Sequence, residues 1–188
     1  LSYDLTGCSL HKRGYRIESV AAPLQETLAA AMIAFSGWDG ISTPLIDPMC
    51  GSGTILCEAL MKAAHIPAGY LRTSEAFRYL PDYDDAHWKE TKTALDAAIK
   101  PIPGGLISGS DIQYDAVDAS LINLECLPCH QQVAVSQGDF HAHKGLAGGL
   151  IVTNPPYGIR LEPGRADALI HDLGDFMKQK CPGSKAFL

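Results

Sequence analysis

The chain has 188 residues, 46% of them hydrophobic and 19% charged, which is enough apolar material for one α/β domain with a full core. A net charge of −6 excludes a domain that grips nucleic acid by bulk positive charge, but not an enzyme with a local basic patch or with affinity supplied from elsewhere. No apolar run approaches the ~18 residues of a membrane span, and the start LSYDLTGCSL lacks a charged and then apolar leader, so a cytoplasmic protein without a membrane partner is expected.

The first residue is not Met, and the chain reads as a piece of something longer. Residues 1–21 read as a solvated connection carrying a basic cluster, HKRGYR at 11–16. APLQETLAAAMIAFSGW (22–38) predicts a helix, with Pro23 in its first turn and Gly37 at its end. TPLIDP (43–48) predicts a short strand. MCGSGTILCEALMKAA (49–64) predicts a glycine-rich turn entering a helix, with Ile55, Leu56, Ala59, Leu60 and Ala63 on one side. Residues 66–104 hold Trp88, four prolines and a helix at about 84–99, and read as an insertion or lid.

GLISGSDI (105–112), QVAVSQGDF (132–140), GLIVTN (149–154) and SKAFL (184–188) predict four further strands. Between them, YDAVDASLINLECL (114–127) and ADALIHDLGDFMKQK (166–180) predict amphipathic helices. Alternating strands and helices predict an α/β, doubly wound, mainly parallel sheet of order 3-2-1-4-5. The chain stops inside or just after the fifth strand, leaving a bare sheet edge unless other chain covers it.

CGSGT (50–54) is compatible with several ligands. A phosphate-binding P-loop needs a Lys after the last glycine, and none follows Gly53. A dinucleotide loop needs a third glycine, and Leu56 stands there. Asp47 at the end of the first strand would repel a pyrophosphate but suits a ligand with a positive amino group, such as S-adenosylmethionine. The glycines allow close backbone approach, and a helix N-terminus can receive a carboxylate. A capping Asp in a plain tight turn is the competing reading. Asp111 and Asp139, at the ends of the second and third strands, suit ribose hydroxyls and an adenine amine, in the crevice where open α/β sheets bind ligands.

The fourth strand ends in NPPYG (154–158). Pro155 and Pro156 restrict the backbone to extended conformations, which fixes the Pro155 carbonyl beside the Asn154 carboxamide. Two such acceptors can bind both hydrogens of an exocyclic amine and hold its lone pair toward a sulfonium methyl. Tyr157 offers a ring for an extruded base to stack on.

DPMCGSGT (47–54) together with NPPYG resembles the amino-methylating class I methyltransferases, whose fold is Rossmann-like. TGCSLHKRGYR (6–16), APLQETLAAAM (22–32) and SGW (36–38) narrow the resemblance to the bacterial 23S ribosomal RNA guanine-N2 methyltransferases, often described loosely as N6-adenine-specific DNA methylases. The resemblance implies a catalytic domain over 22–188 that uses S-adenosylmethionine. Ala22 and Pro23 would line the methionine pocket, and Asp47, Met49, Cys50, Gly51, Gly53 and Thr54 would form the cofactor loop. Asp111 with Ile112 would serve the ribose, Asp139 with Phe140 the adenine, and Asn154, Pro155, Pro156 and Tyr157 catalysis. His11, Lys12, Arg13 and Arg16 become RNA contacts. The family also carries an RNA-binding domain before this region and a closing hairpin after it, neither of which is in these residues, so the C-terminal strands of the sheet are expected to be missing.

The resemblance implies methylation of guanine N2 in 23S rRNA. N6-adenine methylation of RNA or DNA, and a non-catalytic cofactor-binding or RNA-interaction module, are the alternatives. Six cysteines in a core-rich chain without a leader read as reduced thiols. CLPCH (126–130) matches a haem-attachment pattern and could join His141 and His143 around zinc. The preferred reading is two thiols at a helix end and a surface His, with no metal.

Overall fold

Leu45, Ile46 and Asp47 form strand β1, buried on both faces, as a central parallel strand must be. The computed structural model describes the chain except residues 1–3, 21–22, 74, 144 and 157–164 and the side chains of 165 and 166. The elements are α1 (Glu26–Phe35), β1 (Leu45–Asp47), α2 (Thr54–Ala63), α3 (Asp85–Ala97), β2 (Ile107–Asp111), α4 (Tyr114–Glu125), β3 (Val133–Gln137), β4 (Leu150–Val152), α5 (Arg165–Lys180) and β5 (Lys185–Phe187). Short 3-10 turns lie at Ala76–Tyr79, His130–Gln132 and Phe140–Ala142.

The five strands are ordered β3-β2-β1-β4-β5, and every pairing is parallel. Leu45 sits opposite both Ile107 and Leu150, so β1 is the centre of the sheet. The chain runs outward through β2 to β3 and then returns to β4 on the other side of β1. That reversal opens a crevice at the C-terminal ends of β1 and β4. One core joins α1, α2 and α4 to the sheet through Ile33, Leu56, Leu60, Ile107 and Leu124. A second lies on the other side, where Phe140, Leu173 and Phe176 pack on Ile46 and Ile151.

Two expectations are corrected. The first helix begins at Glu26 rather than near Ala22, because the Leu24 carbonyl, which would accept a helical bond, instead accepts from Arg16 Nη2 at 2.6 Å. Residues 13–18 are not a loose connection preceding a domain that starts at 22. Tyr15 is buried in the main core, and Asn123 Oδ1 accepts from the amides of Ile17 and Glu18 at 2.8 and 3.0 Å. The segment 66–104 packs against the N-terminal residues, with the Phe77 amide donating to the Leu5 carbonyl at 3.1 Å.

Candidate functional site

The turn after β1 is held from three directions. The Cys50 amide donates to the Ser110 carbonyl at 2.9 Å, and Ser120 Oγ donates to the Gly51 carbonyl at 2.6 Å. The Gly51 amide donates to Asp111 Oδ2 at 2.9 Å. Gly51 and Gly53 take positive φ values of 54° and 77°, which L side chains rarely adopt. At Gly53 a Cβ would also stand 2.9 Å from Ser120 Oγ, so this glycine serves the packing of α4 against the turn.

This turn floors a cavity of about 600 Å³, within the usual range of small-molecule sites. Asp47, Met49, Cys50, Gly51 and Thr54 line it, as do Asp111, Ile112, Asp139, Phe140, Asn154, Pro156 and Pro23. The crevice therefore gathers residues expected from five separate stretches of sequence. Gly53 and Pro155 do not line it; Pro155 is buried beside Asn154. Ala22 and Tyr157 lie outside the described residues. No described residue of 66–104 lines the cavity.

Asp47 is only 1% exposed. Burial pushes its carboxyl up to about 7 and nearby Asp111 adds to the shift, while the Met49 amide, donating to Oδ1 at 3.2 Å, opposes it. A buried carboxylate facing a cavity is an acceptor for a cationic group, which would favour its ionised form. Asp111 uses both oxygens on backbone amides, of Gly51 and, at 3.0 Å, of Gln113. Asp139 does not end β3. It lies two residues beyond, past the last rung of the β2–β3 ladder, in which the Gly138 amide donates to the Asp111 carbonyl at 2.9 Å, and it caps the turn Phe140–Ala142.

The basic cluster divides. Arg13 Nε lies 3.4 Å from Glu58 Oε1, which also accepts from the Tyr15 hydroxyl at 3.0 Å. Arg16 lies 3.4 Å from the buried Glu26 and donates to Thr54 Oγ1 at 3.1 Å. Both guanidinium groups thus hold the segment onto α1 and α2, which leaves His11 and Lys12 at the surface. The CLPCH thiols behave as helix-end groups: Cys126 and Cys129 point at the carbonyls of Ile122 and Lys100, each at 3.6 Å. Among the described residues no group of three or more His, Cys, Asp or Glu side chains is placed to hold a metal. Nor is any described helix long and apolar enough to cross a membrane.

Other lining residues had no motif to announce them: Val20, Ile55, Gln113, Ala116, His141 and Leu169. Asn123 was missed too. Fully buried, it donates to the carbonyls of Glu18 and Ser52, both at 2.9 Å, and ties the N-terminal segment to the turn.

The family described as RMKL-like, methyltransferase domain, matches residues 13–188. The ribosomal RNA large subunit methyltransferase K/L of Vibrio campbellii is 40% identical over 195 residues, covering 99% of this chain and 27% of that protein. The chain thus spans about a quarter of the length of the curated relatives it matches. A protein described as a methyltransferase and solved in complex with SAH superposes with a TM-score of 0.84 at 34% identity, covering 95% of this chain and 47% of that one. A possible methylase from Clostridium difficile 630 superposes at 0.86 with 33% identity, covering 97% and 48%.

Proposed function

Because this chain belongs to the RMKL-like methyltransferase domain family, we propose that it binds S-adenosylmethionine in the crevice between β1 and β4 and methylates large-subunit ribosomal RNA. The observation that carries this reading is the presence of Asp47 and Asn154 on one cavity, one a buried carboxyl, the other a carboxamide. The residues present fit the cofactor. The cavity is large enough, the Gly51 backbone permits close approach, and the N-terminus of α2 faces the turn.

Asp47 accepts the ammonium of the methionine moiety in this reading. Ile112 and Phe140 give apolar surface for the nucleoside, and Asp111 and Asp139 serve its ribose and adenine. Pro23 and Val20 close the side nearest the N-terminal segment. When bound, the cofactor supplies an electrophilic methyl group. Asn154 and the Pro155 carbonyl bind the hydrogens of the target amine and aim its lone pair, and the two prolines keep these acceptors from moving. Tyr157 gives the extruded base a stacking partner. Lys12 and His11 contact the RNA backbone, with further grip from an RNA-binding domain elsewhere in a longer chain.

Guanine N2 is the proposed target. Nucleoside mass spectrometry of unmodified 23S rRNA after incubation with the chain and cofactor tests it. N2-methylguanosine is the expected product. N6-methyladenosine would replace the base assignment while keeping the enzyme, and cofactor binding without any transfer would favour a non-catalytic module.

A further inference from the structure

Asp139 is engaged through one oxygen. Its Oδ1 accepts from the His141 backbone amide at 2.9 Å and lies 2.6 Å from His141 Nδ1. Among the described residues no hydrogen bond engages Oδ2. A ring nitrogen this close to an acceptor carries the proton, so Nδ1–H is the donor. Three neighbours surround the residue. It stacks on Phe140 with centroids 4.0 Å apart and planes at 27°. Its Nε2 lies 3.7 Å from Asp172 Oδ2 on α5. Lys180, also on α5, donates to the His141 carbonyl at 2.7 Å. Asp139, Phe140 and His141 all line the cavity.

We infer that His141 is a positioning residue for recognition of the cofactor's adenine. By occupying Oδ1 of Asp139, the imidazole fixes that carboxylate and leaves Oδ2 as the acceptor for the exocyclic amine, while its ring extends the Phe140 surface at the rim. Asp139 is half-exposed, and without the imidazole only the single backbone bond from the His141 amide would hold it. The backbone amide of His141 is the main reason its carboxyl lies below the usual range; partial burial opposes this and the imidazole adds to it. The Lys180 bond from α5 tethers the backbone of His141, and the stack on Phe140 orients its ring. This inference rests on the S-adenosylmethionine reading of the cavity.

The test is calorimetric titration of wild type, His141→Ala and His141→Asn with S-adenosylhomocysteine and with S-inosylhomocysteine, which replaces the amine by a carbonyl oxygen. A carboxylate acceptor makes wild type prefer the adenine ligand by about tenfold or more. His141→Ala is expected to cut that preference to about threefold or less with little change for the inosine ligand, and His141→Asn, which retains a side-chain N–H, to keep most of it. A preference unchanged in His141→Ala, or equal weakening of both ligands, overturns the inference. Wild type binding both ligands equally overturns it together with the role of Asp139 and leaves the pocket standing. Wild type binding neither ligand overturns the cofactor reading itself.

Discussion

Gly51 donates its amide to Oδ2 of Asp111 at 2.9 Å, so the glycine turn after β1 and the acid ending β2 form one hydrogen-bonded unit. Asp111 thus shapes the site whether or not a ribose is present. Asp111→Ala is expected to weaken S-adenosylhomocysteine binding by about tenfold or more, since bonds to a charged partner are each worth ~1.5–3 kcal/mol. Asp111→Asn, with one acceptor oxygen instead of two, should fall between. Titration calorimetry of both variants checks the order.

Asp47 makes the fold and the affinity depend on pH. Its folded carboxyl, raised from 3.8 to about 7, holds a proton that the unfolded chain has lost between those values. Its contribution to stability is therefore full below about pH 4 and is lost as pH rises through about 7. Asp47→Asn should raise the melting temperature of the ligand-free chain more at pH 8 than at pH 5. Binding a ligand ammonium favours the ionised form, so affinity should rise between pH 5 and 7 in wild type. In Asp47→Asn it should be weak and flat. Melting curves and titrations at a series of pH values read both effects.

Gly53→Ala places a methyl 2.9 Å from Ser120 Oγ at a φ of 77°. Strain of this kind costs about 1–3 kcal/mol. A loss in that range by denaturant unfolding is expected. An unchanged midpoint would show that the α2–α4 contact can relax.

Asn123→Leu removes four hydrogen bonds, two to the amides of Ile17 and Glu18 and two to the carbonyls of Glu18 and Ser52. Leaving such buried groups unpaired costs roughly 1–3 kcal/mol each before relaxation. A marked drop in melting temperature is expected, with weaker cofactor binding because Val20, Pro23 and Leu24 border the cavity. Melting and titration of the same sample separate the two.

The strand order, the helix positions and most of the lining residues were legible because each has a local signature. The apolar run before Asp47, the glycines after it and the prolines after Asn154 are short-range patterns. What escaped has no local signature. Arg13 and Arg16 read as a free basic cluster because their partners, Glu58 and Glu26, are far along the chain or in the next helix. Asn123 sits in the last turn of α4, where nothing marks a buried amide bonded to residues about a hundred positions away. Asp139 looked like a strand end because it follows β3 closely, and nothing in the sequence marks that its side chain caps the turn Phe140–Ala142.

The most direct measurement of the central claim is transfer of a labelled methyl group from S-adenosylmethionine to unmodified 23S rRNA, by wild type and by Asn154→Ala at saturating cofactor. Asn154 lines the cavity and carries the proposed orientation of the amine. The account predicts transfer by wild type and a fall of about a hundredfold or more in the variant, the scale on which removing one preorganised polar group from a reacting centre acts. Equal transfer by both proteins, or none by wild type while it binds the cofactor, would contradict it.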